Sequence, residues 1–100
     1  MVLVRDIFQV KFGKMKEAKA VWQEMIKVFP ISTGGQPPRL LTDLTGPYYT
    51  LVVESTFNDL RGYEQRQPGS ADAGAKIGAL YQKLVPLVDS GRREIFTIVE

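Results

Sequence analysis

The stretch Val2-Leu3-Val4-Arg5-Asp6-Ile7-Phe8-Gln9-Val10-Lys11, followed by Phe12-Gly13-Lys14 and then by Met15, Ala18, Trp22, Met25 and Phe29 at helical spacing, decides the fold. In the first ten residues β-branched and aromatic side chains are dense, and Val2, Val4, Phe8 and Val10 share one face of a strand that Asp6 interrupts. Leu3, Arg5, Ile7, Gln9 and Lys11 make the other face mixed rather than polar, so both sides of this strand are expected to be covered. Gly13 marks a turn, after which the apolar period lengthens to three and four residues, with Val21 and Val28 beside the stripe. Lys14, Lys16, Glu17, Lys19, Gln23, Glu24 and Lys27 fill the remaining helix surface, and Pro30 ends the helix because it lacks a backbone donor.

Downstream, Ser32 to Pro38 reads as a loop by composition. Arg39 to Thr45 and Tyr48 to Ser55 read as an antiparallel hairpin about the turn dipeptide Gly46-Pro47, with Leu40, Thr42 and Leu44 on one face of the first strand and Tyr49, Leu51 and Val53 on one face of the second. Thr56, with Asp59 three residues on, marks the start of a short helix through Leu60 and Tyr63. Gln67-Pro68-Gly69-Ser70 interrupts that helix, and a further helical stretch from about Ala71 carries Ile77, Leu80, Tyr81, Leu84 and Val88. Pro86 should distort the last turn, Gly91 is placed to cap it, and Glu94 to Val99 is a final strand.

One hundred residues, 44% apolar and 24% charged, fit a single globular domain over 1–100 and leave no room for two cores. The net charge of +2 is well interspersed, with no basic run beyond Arg92-Arg93, so nucleic acid is not an expected partner. Charges arrive at Arg5 and Asp6 before any apolar run reaches the length of a signal or a membrane span, so neither secretion nor membrane insertion is expected. The chain has no cysteine, which rules out disulfides and thiolate sites and fits a reducing compartment, the cytoplasm. It has no histidine either, which excludes a proximal-histidine haem and imidazole metal sites. Gly34-Gly35 lacks the Gly-Lys-Ser/Thr that would make it a phosphate loop. No metal and no cofactor is expected.

The order strand, helix, hairpin, helix, strand, with the phrases Val10-Lys11-Phe12-Gly13-Lys14, Val53-Glu54-Ser55-Thr56-Phe57-Asn58-Asp59-Leu60 and Leu87-Val88-Asp89-Ser90-Gly91-Arg92-Arg93-Glu94-Ile95, resembles the dimeric α/β barrel superfamily, nearest to its NIPSNAP-like and antibiotic-biosynthesis-monooxygenase-like members. Phe12 stands where the first phrase usually has proline. The resemblance implies an α+β, ferredoxin-like βαββαβ fold with a four-stranded antiparallel sheet and an interrupted second helix. It also implies a homodimer in which two sheets face each other. Superfamily members include oxygenases, isomerases, haem enzymes and proteins without known activity, so the fold alone does not select among them.

Two functions stay open: a dimeric barrel protein that binds a small organic molecule or serves as an interaction module, and a cofactor-independent oxygenase or isomerase acting on an aromatic or polyketide-like compound. No triad, metal set or cofactor fingerprint can be assembled, which favours the first. Arg5, Gln9, Asp43, Thr50, Glu54 and Tyr63 are the candidate ligand-binding residues, because polar side chains on otherwise apolar strands persist where a partner, water or a ligand satisfies them. Asp6 belongs with Arg5 and Gln9 as a costly mid-strand polar group, and the competing account is ion pairing, either across a subunit boundary or with Asp43, Glu54 or Arg93 on neighbouring strands. Trp22, Met25 and Phe29 are read as core. Tyr48, Tyr49, Tyr63 and Tyr81 could each place a phenolic substrate or simply bury a ring with its hydroxyl in water.

Overall fold

A computed structural model describes residues 1–28, 37–65 and 71–99. Strand β1 (Val2–Val10) leads through a turn at Gly13, whose φ of +80° suits glycine, into helix α1 (Met15–Val28). Strands β2 (Arg39–Thr42) and β3 (Thr50–Phe57) form a hairpin; helices α2 (Leu60–Glu64) and α3 (Ala71–Leu84) follow, and a 3-10 turn at Val85–Leu87 enters β4 (Val88–Thr97). The four strands pair antiparallel in the order β2-β3-β1-β4. This is the α+β arrangement expected from the sequence. Phe29, Pro30, the Ser32–Gln36 part of the loop and the Gln67–Ser70 interruption lie outside the described residues.

Residues directly opposite one another across an antiparallel ladder point to the same face, so the register sorts the sheet into two sides. On the helix side lie Val4, Asp6, Phe8 and Val10 of β1, Leu51 and Val53 of β3, and Arg93 and Ile95 of β4. Ala18, Trp22 and Met25 of α1 and Leu84 of α3 close on Val10, Leu51 and Val53 to make the core, and the Phe8 ring sits 5.6 Å from that of Trp22. On the open side lie Leu3, Arg5, Ile7 and Gln9, with Thr50, Val52, Glu54, Leu41, Arg92, Glu94 and Phe96. Asp6 therefore interrupts the apolar, core-facing side of β1, as the strand pattern predicts. It is a polar position on the helix side.

Several local readings change. Strand β2 stops at Thr42 because the Asp43 carboxylate accepts from Thr50 N at 2.9 Å, which turns the expected two-residue turn into a loop over 43–49. Leu44 consequently points into solvent, 97% exposed, rather than alongside Leu40. The start of α2 is capped by Asp59, whose Oδ1 accepts from Gly62 N at 2.8 Å, and Thr56 remains in β3. Tyr81 is half exposed, whereas Ile77, Leu80 and Leu84 do pack inward. Gly91 is not a helix cap; it lies mid-strand opposite Phe8, where an added Cβ would come within 3.0 Å of the ring. Strand β4 begins at Val88, six residues earlier than expected, with Asp89 as an extra residue where the register shifts between Gln9 and Val10.

Candidate functional site

The polar side chains of the sheet fall into three groups. On the open side, Glu54 is 9% exposed and receives two guanidinium groups: Arg39 Nη2 donates to Oε1 at 2.6 Å, and Arg5 Nε lies 3.0 Å from Oε2. The Arg5 contact is an ion pair rather than a well-aligned hydrogen bond, since that Nε meets no acceptor in hydrogen-bonding geometry. Glu94 extends the belt, 3.9 Å from Arg5 Nη1 and 3.6 Å from Arg92 Nε. Ordinary strand alternation brings these five residues together on β2, β3, β1 and β4.

On the helix side, Arg93 bridges Asp6 and Tyr63. Its Nε donates to Asp6 Oδ1 at 2.5 Å, its Nη2 to Oδ2 at 3.3 Å and its Nη1 to the Tyr63 hydroxyl. The hydrogen bond that the guanidinium donates to Asp6, partly opposed by burial, holds Arg93 above its ordinary ionisation range. Tyr63 is fixed from behind by an edge-on contact with Phe57 at 5.6 Å. The pairing of Asp6 with Arg93, and of Arg5 with Glu54, is the ion-pair account of these mid-strand charges.

The third group surrounds the 43–49 loop. Asp43 N donates to Thr50 O at 3.1 Å while its carboxylate takes Thr50 N, so this pair clasps the base of the loop. Thr50 Oγ1 donates to Pro47 O at 2.9 Å, and Gln9 Nε2 donates to Tyr48 O at 2.6 Å and to Tyr49 O at 3.4 Å. Held in this way, Tyr49 adopts φ of +59°, a left-handed conformation that a bulky side chain seldom takes, and its carbonyl accepts from Val10 N at 2.8 Å. The strained backbone turns the Tyr49 ring onto Phe12, with centroids 4.9 Å apart and planes at 65°.

Beside this pair opens a cleft of about 460 Å³, lined by Phe12, Met15, Thr42, Asp43, Tyr48 and Tyr49. It lies where β1 passes into α1 and the hairpin turns over. The volume is within the range of small-molecule sites, and an apolar lining with few polar groups is their usual make-up. Of the candidate residues, Asp43 lines the cleft, and Thr50 and Gln9 hold the loop that forms it. Arg5 and Glu54 sit on the open side of the sheet, and Tyr63 is engaged with Arg93. The structure does not gather all six in one place. Phe12, Met15 and Thr42 were not anticipated, and the available signal was an aromatic side chain in a turn where proline is usual. Among the described residues no three acidic side chains group as a metal site.

No protein-family model and no curated protein matches the chain. Solved structures do match in fold. A NIPSNAP family protein of unknown function from Agrobacterium tumefaciens superposes with a TM-score of 0.73 at 19% identity, covering 96% of this chain and 86% of that one. An uncharacterised NIPSNAP domain protein from Burkholderia xenovorans gives 0.74 at 15% identity over 99% and 95%. SnoaB, a cofactor-independent oxygenase from Streptomyces nogalater, gives 0.68 at 18% identity over 99% and 93%. The chain thus has the ferredoxin-like fold of the NIPSNAP and antibiotic-biosynthesis-monooxygenase proteins, as its sequence phrases imply. Identities this low speak to fold alone, and the activity of this chain is not established by them. Among the described residues no helix is long and apolar enough to cross a membrane.

Proposed function

We infer that this chain is a homodimeric α/β barrel protein whose protomers each bind a small organic molecule in the cleft between Phe12, Met15, Tyr48 and Tyr49. The observation that carries the reading is the strained Tyr49, because a left-handed tyrosine costs on the order of 1 kcal/mol or more and here sets a ring between the edge of the core and the cleft, lining both. The other polar groups argue for binding rather than chemistry: Arg5, Glu54, Asp6 and Arg93 are committed to one another. The cysteine-free composition goes with a cytoplasmic protein.

The test is thermal unfolding against a broad panel of small aromatic compounds. A ligand present at a hundred times its dissociation constant adds about 2.7 kcal/mol to stability and raises the melting point of a domain this size by roughly 10 °C or more. Tyr49→Asn keeps a residue that tolerates the left-handed conformation and removes the ring, so it should melt somewhat below the parent protein through lost packing and also lose the ligand-induced rise. If no compound in the panel raises the melting point of the parent protein, the binding function is abandoned.

The likeness to SnoaB supports a second reading, a cofactor-independent oxygenase or isomerase acting on an aromatic or polyketide-like compound. Asp43 is the one carboxylate lining the cleft among the described residues, so it would have to take the substrate proton. Dioxygen consumption with a bound phenolic compound, or its conversion to a product of unchanged mass, lost in Asp43→Asn, would establish this reading; binding with neither change would retire it.

A further inference from the structure

We propose that the cleft selects a small free organic cation, an aryl- or alkylammonium compound, with Phe12, Tyr48 and Tyr49 as aromatic walls and Asp43 as counter-charge. This rests on the reading of the cleft as a ligand site and adds the charge of its occupant. Among the described residues that line it, three are aromatic, one is a methionine, and none is a lysine or arginine. Phe12 and Tyr49 meet as two walls of a corner, 65° apart, and the Phe12 and Tyr48 rings are respectively 82% and 77% exposed, so aromatic surface is left uncovered by the protein itself. A ring face carries negative quadrupole potential and attracts an ammonium group, most strongly when several rings share it.

Asp43 gives the corner a sign. Its Oδ1 is taken by Thr50 N, and the same clasp through Asp43 N and Thr50 O fixes the side chain on the loop. The carboxylate has no ion pair among the described residues, in contrast to Glu54, Glu94 and Asp6, each of which has an arginine. A carboxylate without a cation, held at the edge of an aromatic corner, complements a cationic ligand and disfavours an anionic one. Lys14, beside Met15 in the sequence, has its Nζ 3.7 Å from Glu17 on α1.

The experiment uses two compounds of one shape and different charge, (4-hydroxyphenyl)trimethylammonium and 4-tert-butylphenol, titrated into the full chain by NMR. The cation is expected to bind at least about tenfold more tightly than the phenol, the effect of one good cation–π or charge contact. Asp43→Asn keeps an oxygen acceptor for Thr50 N and should bring the ratio of the two affinities towards one. Phe12→Leu alters an exposed position and retains apolar volume; it should weaken the cation several-fold and leave the phenol nearly unchanged. Equal or tighter binding of the phenol overturns the cation assignment while leaving the ligand site in place. Binding of neither overturns the cation assignment, and the broad melting panel then decides the wider reading. Co-sedimentation of the protein with phosphatidylcholine vesicles, with no binding of the free cation, would assign the same headgroup chemistry to a membrane and overturn the proposal of a free ligand.

Discussion

Glu54 shows how ion pairs can satisfy a charged residue in mid-strand. Its carboxylate is almost buried, yet both oxygens face a guanidinium, so the cost of removing the charge from water is offset twice over. The two arginines differ, since the Arg5 side chain is one-third exposed and that of Arg39 about three-quarters exposed. Arg5→Met should therefore cost about 1 kcal/mol in chemical denaturation and Arg39→Met less, as expected for a contact screened by solvent. The double variant should lose more than the sum, by about 1 kcal/mol or more, because only then is the Glu54 carboxylate left without any partner. Additive losses would mean that the two arginines act independently and that Glu54 finds another way to be solvated. Sequence could place the charges on β1 and β3 and name their candidate partners, but the choice of Arg93 for Asp6 and of Arg5 for Glu54 depends on register, which only the assembled sheet fixes.

Helix α1 was the most legible element because its apolar stripe has one reading: Ala18, Trp22 and Met25 are all buried where the spacing puts them. Met25 is 1% exposed, so Met25→Ala should destabilise the chain by about 2–5 kcal/mol in urea unfolding through lost packing and the cavity left behind. Trp22 is a different case, because its Nε1 is buried without a hydrogen-bond partner among the described residues. Trp22→Phe gives up packing area but also removes an unsatisfied donor, so it should cost clearly less than Met25→Ala. A loss as large as that of Met25→Ala would show that the indole N–H is satisfied in solution. The elements that were misread are those set by side-chain to backbone contacts or by tertiary crowding. The β2–β3 turn was assigned to Gly46-Pro47, but Asp43 captures Thr50 N and lengthens the loop that shapes the cleft. Gly91 suggests a helix end by composition, whereas in the sheet it lies close against the Phe8 ring, which would have to give way to a larger side chain. Composition marks such residues as turn formers without saying which contact uses them.

At the scale of the whole molecule the protomer is a slab, 36 by 35 by 18 Å, the thickness of one sheet and one layer of helices. The helices cover one side of the sheet, and the proposed dimer covers the other with a second copy. Which side chains would drive that association is decided by exposure within the protomer. Ile7 and Val52 look from the sequence like the centre of the interface, yet they are only 7% and 9% exposed, already shielded by neighbouring side chains. Ile95, which the strand pattern also offers, is on the helix side opposite Val4. The open side instead leaves Leu41 37% and Phe96 47% exposed, and full burial of what remains would contribute roughly 1–3 kcal/mol each at about 25 cal/mol per Å². Four such side chains, two per copy, supply enough for a micromolar pair once the entropy of association is deducted only if the rest of the face fits closely. The parent chain should therefore sediment at twice its 11.2 kDa at micromolar concentration. Leu41→Asp and Phe96→Asp should yield folded monomers with an unchanged far-ultraviolet circular dichroism spectrum, because neither side chain belongs to the core. Ile7→Asp should lower the melting point as well, since its charge would enter a site already closed to water. A parent chain that sediments at 11.2 kDa across that concentration range would overturn the dimer. A dimer that persists in both Leu41→Asp and Phe96→Asp would place the interface elsewhere than on the open side of the sheet.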